Sequence, residues 1–175
     1  MNKLILILLL LISQSAKSQD GVFLSTEDFL ENIVFHPSNS IIKERFATVI
    51  IKDDSCKKAY SHQNAFGYRY KGRQWRFDEG RAYEIVATEG IWVYRVENLT
   101  DLNSYSYFFS DGAYGEVLAL SRANLRKCFS NQPEFLSIIK KIDWKMDLFQ
   151  PTNYKNLPFV SALYQQLVSQ KSLTW

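Results

Sequence analysis

The sequence predicts an α+β protein, an antiparallel β-meander sheet of about five to seven strands with C-terminal helices packed on one face. Three observations carry that prediction. An aromatic-rich run from Ala65 to Val96 is punctuated by turns ending in glycine, and a further strand pair follows in Ser104–Leu120. At Ser121 the apolar period then changes from two residues to near 3.6, the step from strand to helix.

The run Ala65–Val96 contains the turns Lys71-Gly72, Asp78-Glu79-Gly80 and Glu89-Gly90. Two-residue hairpin loops need positive φ, which glycine adopts without steric cost, and three-residue loops often end in a left-handed glycine. The first turn pairs Tyr70 with Arg73, Tyr68 with Trp75 and Phe66 with Phe77. The second, as a three-residue loop, sets Phe77 opposite Arg81 and Trp75 opposite Tyr83. The third pairs Ala87 with Trp92, Ile85 with Tyr94 and Tyr83 with Val96. One face then collects Phe66, Tyr68, Trp75, Phe77, Tyr83, Ile85, Trp92, Tyr94 and Val96. The other collects Arg69, Gln74, Arg76, Glu84 and Arg95. A slip of one residue in any hairpin scrambles this sorting, so the agreement of three turns argues for the meander.

Before the meander, Gly21–Leu24 reads as a short strand and Ser25 or Thr26 caps a short helix through about Asn32. Asp28 completes a capping box, with Phe29, Leu30 and Ile33 as the buried side. Phe35–Ser40 is loop, Phe46–Lys52 is a β-branched strand, and Asp53-Asp54-Ser55 is a polar turn. Lys57–Asn64 is ambiguous in pattern and leads into the meander. After the meander, Glu97–Asn103 is a polar connection. Ser104–Phe109 and Gly115–Leu120 form a hairpin about Asp111-Gly112. Ser121 caps a helix carrying Leu125, Cys128 and Phe129; Asn131 caps the next, with Pro133 in its first turn and a stripe of Phe135, Ile138, Ile139 and Ile142. Trp144–Lys155 is irregular. A last helix starts at Asn156 and carries Val160, Leu163, Tyr164, Leu167 and Val168.

The 175 residues suit one domain with a real core. Residues 1–18 read as a signal peptide: Lys3 is the positive start, Leu4–Ile12 the short apolar stretch, and Ala16-Lys17-Ser18 the cleavage residues. The apolar stretch is about half what a membrane-spanning helix needs. Cleavage after Ser18 leaves Gln19 first and a single α+β domain over 19–175, sheet-rich over 46–120 and helical over 121–170. The alternative is an uncleaved anchor. An extracytoplasmic protein, periplasmic or secreted, with no membrane span after cleavage is expected. Losing Lys3 and Lys17 takes the formal charge from +3 to +1. No basic stripe is evident along the sequence, and no nucleic-acid partner is expected.

In an oxidising compartment Cys56 and Cys128 have two readings: a disulfide closing a long loop, worth roughly 4 kcal/mol on the chain-entropy model, or two buried thiols. No metal site or cofactor is expected. The two histidines, His36 and His62, are not spaced with other ligands, and no phosphate loop, dinucleotide fingerprint or nucleophile elbow occurs. Cys56 with His62 is a nonspecific spacing. The carboxylate pairs Asp53-Asp54 and Asp78-Glu79 sit in turns, where acids bond the backbone or face water. No catalytic residue stands out.

Two surfaces remain. Arg69, Gln74, Glu84 and Arg95 form a row across the polar face with Arg76 near it; this is either a solvated ladder or a surface for anions or carbohydrate, the arginines acting as planar donors. Trp75, Tyr83, Trp92 and Tyr94 are either a sugar-stacking platform or core beneath the C-terminal helices.

The pieces GVFLSTEDF (Gly21–Phe29), AFGYRYKGRQWRF (Ala65–Phe77), SYFFSDGAYGEVLALSRANLRKCF (Ser106–Phe129) and NQPEF (Asn131–Phe135), together with Gln19 after the signal, carry a resemblance. The chain resembles small exported proteins of unknown function from Bacteroidetes bacteria. The resemblance covers most of the mature chain and implies no activity and no functional residue. The reading that follows is an exported, non-catalytic module binding a protein or glycan partner in the envelope or outside the cell. The alternative is an extracytoplasmic hydrolase with a site built from scattered residues.

Overall fold

The computed structural model describes residues 19–37, 41–45, 47–52, 56–98, 104–141 and 159–172. The signal segment, the Asp53-Asp54-Ser55 turn, Ile142, the irregular stretch Trp144–Lys155 and the expected helix start at Asn156 lie outside these residues.

Among the described residues ten strands and four helices occur in chain order: β1 (Gly21–Phe23), α1 (Thr26–Leu30), β2 (Ile41–Arg45), β3 (Thr48–Lys52), β4 (Lys57–Tyr60), β5 (Gly67–Tyr70), β6 (Arg73–Asp78), β7 (Arg81–Ala87), β8 (Trp92–Glu97), β9 (Tyr105–Ser110), β10 (Leu118–Ala119), α2 (Arg122–Cys128), α3 (Pro133–Lys141) and α4 (Phe159–Ser172). A seven-stranded antiparallel sheet has the order β1-β5-β6-β7-β8-β9-β10, and a three-stranded sheet the order β2-β3-β4. This is an α+β fold with a β-meander. The chain divides into two compact units, one through Arg81 and one from Ala82.

In the first unit the β5–β6 hairpin has the expected register, Tyr70 opposite Arg73 and Tyr68 opposite Trp75. Lys71 and Gly72 both have positive φ, as a two-residue loop with the twist of the strands requires. The Phe77 amide donates to the Phe66 carbonyl at 2.8 Å. The next loop is one residue shorter than expected: β6 runs through Asp78, and Glu79-Gly80, both left-handed, make the turn. Strand β1 pairs along β5, and Ser25 and Asp28 form the expected capping box of α1. Phe29 is buried edge-on against Phe23, 5.0 Å between centroids. Leu30 and Ile33, expected beside it, are exposed. A five-residue helix buries one side only, and Leu30 lies about 100° around it from Phe29.

The three-stranded sheet is larger than the single strand expected over Phe46–Lys52. Val49 and Ile51 of β3 and Tyr60 of β4 are buried. The Tyr68 hydroxyl donates to the Glu44 carboxylate of β2, tying this sheet's inner face to β5.

In the second unit Glu84 faces Arg95 and Ile85 faces Tyr94, as expected. A bulge then intervenes, so Ala87 faces Val93 and not Trp92. The extra residue of β7 falls between Ile85 and Ala87, and Val86 is exposed. The return strand expected over Gly115–Leu120 is reduced to β10, whose Leu118 pairs with Phe109. Gly115 sits so close to Asp111 that a Cβ there would lie 2.7 Å from the Asp111 carbonyl oxygen; the connection is a packed loop and not a tight hairpin.

Ser121 caps α2 as expected, its hydroxyl accepting from the Asn124 amide. The cap of α3 falls one residue later than expected, because the Gln132 carbonyl accepts the first helical bond from Leu136. Leu125, Phe129, Phe135, Ile139 and Val160 form the core with Ala87, Val93 and Phe109 of the sheet and with Ile91 of the turn before β8. That overturns the placement of the aromatic stripe under the helices. Along β8 the helices cover Val93, and alternation turns Trp92 and Tyr94 to the opposite face. Tyr83, Trp92 and Tyr94 are nonetheless buried, so they offer no open stacking platform. Tyr83 meets Phe108 edge-on, and the Tyr94 hydroxyl lies 2.8 Å from Ser110 Oγ.

Candidate binding surface

The five residues of the polar row divide between the two units: Arg69, Gln74 and Arg76 in the first, Glu84 and Arg95 in the second. Gln74 lies opposite Arg69 and is half-buried. Arg69 and Arg76, expected on a solvated face, are only 5% and 8% exposed. The cause is local. Phe23, Phe29 and Phe66 gather on this side of β5 and β6, and long arginine stems pack against such rings. The Arg69 guanidinium lies 5.1 Å from the Phe23 ring centroid and donates to Asn32 Oδ1. Burial lowers its pKa, and the charge of Asp20 acts in the opposite sense. Arg76 lies 5.5 Å over Phe66.

Glu84 and Arg95 remain in contact with water. Arg95 Nε and Nη2 donate to the two Glu84 carboxylate oxygens at 2.8 and 2.7 Å, a bidentate fork across β7 and β8. Their side chains are 28% and 15% exposed, Arg95 and Glu84 respectively. The Arg95 guanidinium lies 4.6 Å from the Tyr105 ring centroid of β9, and Tyr107 is its direct cross-strand neighbour. The hydrogen bond to Glu84 raises the Arg95 pKa above its ordinary value against the opposing effect of burial, with further help from the charges of Glu84, Tyr105 and Tyr107. Neither tyrosine stands out in the sequence. A signal for them exists all the same: alternation in SYSYFF puts Tyr105 and Tyr107 on one face, and pairing β9 with β8 brings that face to Arg95.

A second feature of this unit is a cleft of about 180 Å³ lined by Asp111, Gly115, Glu116, Leu118, Lys127 and Cys128. Burial raises the Cys128 pKa, and the charges of Asp111 and Glu116 raise it further. That is the reverse of the electropositive setting that activates a cysteine nucleophile. Cys128 is half-buried and Cys56 exposed, so they are not a pair of buried cysteines. His62 is exposed, and His36 is half-buried with its Nδ1 lacking a hydrogen-bond partner. Asp78 ends β6 and Glu79 is exposed in the turn. Among the described residues no group of three His, Cys, Asp or Glu side chains is placed to hold a metal ion. Among the same residues no helix is long and apolar enough to cross a membrane. The chain matches no protein-family model, no curated protein and no solved structure.

Proposed function

We propose that this chain is an exported protein, periplasmic or secreted, acting as a non-catalytic module that binds a protein or glycan partner through Glu84, Arg95, Tyr105 and Tyr107. The observation that carries the reading is the partly exposed Arg95–Glu84 fork, whose guanidinium lies over Tyr105. Arginine and tyrosine are among the side chains most enriched where proteins meet partners, because they combine apolar area with directional hydrogen bonds. A guanidinium held by a carboxylate and a ring is already ordered, so a partner immobilises little more on binding. Of the original row, Glu84 and Arg95 supply this surface, while Arg69 and Arg76 serve the interior.

The test compares the wild type with Arg95→Ala and Tyr105→Ala on a glycan array and against immobilised envelope proteins of the source cell. The reading expects a saturable partner whose affinity drops at least tenfold in both variants, with circular dichroism unchanged. Hydrolytic turnover of chromogenic ester, glycoside or peptide substrates would overturn it in favour of an enzyme. So would a partner that both variants bind normally.

A further inference from the structure

The outer face of the three-stranded sheet has a composition that the linear sequence hides. The register sets Ile41, Lys52 and Lys57 in one row and Lys43 beside Ile50 in the next, followed by Arg45 beside Thr48. Alternation puts these side chains on the side opposite Val49, Ile51 and Tyr60, the buried side where Tyr68 reaches Glu44. The outer face therefore presents four cations, Lys43, Arg45, Lys52 and Lys57, all exposed. Among the described strand residues no carboxylate shares it; Glu44, the acid of β2, belongs to the inner face. The cations come from three strands separated by turns, which is why no basic stripe appears along the chain.

This arrangement has a folding cost. Lys52 and Lys57 are direct cross-strand partners, and like charges so placed destabilise a sheet. An anionic surface outside the molecule would relieve that repulsion. Between the cations sit Ile41, 59% exposed, and half-buried Ile50. Aliphatic groups interleaved with cations suit the headgroup boundary of a bilayer, where the charges meet lipid phosphates and the aliphatic groups enter the acyl margin. Single-stranded nucleic acid and sugar rings favour aromatic stacking platforms, and the described residues of this face carry no aromatic side chain.

We infer that the outer face of β2-β3-β4 docks on the surface of an anionic lipid bilayer through Lys43, Arg45, Lys52 and Lys57, with Ile41 entering the headgroup boundary. The docking is peripheral and uses other residues than the proposed partner surface.

The experiment is co-sedimentation of the full chain with vesicles of phosphatidylcholine containing 30% phosphatidylglycerol, against vesicles of phosphatidylcholine alone, at about 0.1 M salt. The comparison chain is Lys43→Gln/Arg45→Gln/Lys52→Gln/Lys57→Gln. Both chains carry the same N-terminus, so any pull by the apolar segment 4–12 is equal in the two. Each cation near a charged surface is worth roughly fivefold in partitioning, so the four changes lower it on the order of several hundredfold. Raising the salt to about 0.5 M removes most of the wild-type binding. Ile41→Ser, which leaves the charges and folds as judged by circular dichroism, lowers partitioning several-fold. Equal partitioning of the wild type and the fourfold variant overturns the inference. Equal affinity of the wild type for neutral and anionic vesicles does so too. Tight binding to a sulfated polysaccharide or to DNA with none to vesicles also overturns it.

Discussion

Arg95 grips the Glu84 carboxylate with two nitrogens, at 2.8 and 2.7 Å, across adjacent strands that lie in register at that pair. The geometry is bidentate and the pair only partly exposed, which sets it apart from the single-contact surface ion pairs that contribute almost nothing. A double-mutant cycle of Glu84→Ala and Arg95→Ala is expected to give a coupling of about 1 kcal/mol in urea unfolding. Strict additivity would mean that the fork is not maintained in solution.

Arg69 poses the opposite case. Its charge is desolvated, which lowers its pKa, and against that stand the charge of Asp20, a side-chain bond to exposed Asn32 and a contact with Phe23. Most of its worth is therefore in its stem. Arg69→Met fills the same space without a charge and is expected to stay within about 1 kcal/mol of the wild type. Arg69→Ala leaves a hollow beside Phe23 and is expected to lose about 2–3 kcal/mol. Thermal melts of the two variants check the order; equal losses would mean that the charge, not the volume, is what matters.

How much of the fold is legible in the sequence depends on how local each cause is. The β5–β6 register, the capping box of Ser25 and Asp28, and the cap at Ser121 are readable because a few adjacent residues decide them. The bulge near Val86 is not, since no glycine or proline marks it and the pairing of β7 with β8 alone reveals it. Strands β2 and β4 escape a sequence reading because IIKER and KKAY mix charge with apolar residues and do not alternate clearly. Alternation shows correctly that Trp92 and Tyr94 share a face, but not which face the helices cover. The same gap explains the buried arginines: Arg69 and Arg76 look solvated until Phe23 and Phe66 arrive beside them, Phe23 from far along the chain.

Cys128 and Tyr164 give the second unit a predictable response to alkali. Burial raises both pKa values above their ordinary 9.0 and 10.0, with Asp111 adding to each. The uncharged, protonated forms are the ones the fold prefers. Their contribution is therefore complete below the unfolded values and is lost as the pH rises through about 9 and 10 toward the higher folded values. Urea midpoints at neutral and alkaline pH are expected to fall more steeply for the wild type than for Cys128→Ala/Tyr164→Phe, which has neither group. In the native wild type at pH 7, Cys128 is also expected to react with a disulfide reagent at least tenfold more slowly than glutathione does. Parallel midpoints would mean that neither group is shielded.

Gly67 and Gly72, at the two ends of β5 and its turn, separate two reasons for needing glycine. At Gly72 φ is +76° and a Cβ would meet nothing within 4 Å, so alanine faces only backbone strain, about 1–2 kcal/mol. Gly67 needs no left-handed backbone, but a Cβ there would come within 2.0 Å of the Trp75 carbonyl oxygen and 3.1 Å of its carbon. Those are main-chain atoms of the paired strand, which move only if β5 and β6 separate. Gly67→Ala is therefore expected to cost more than about 3 kcal/mol, well beyond Gly72→Ala. The check is the urea midpoint of each variant at unchanged m-value. If Gly67→Ala proved as mild as Gly72→Ala, β5 would have to lie farther from the Trp75 backbone than the hairpin register places it.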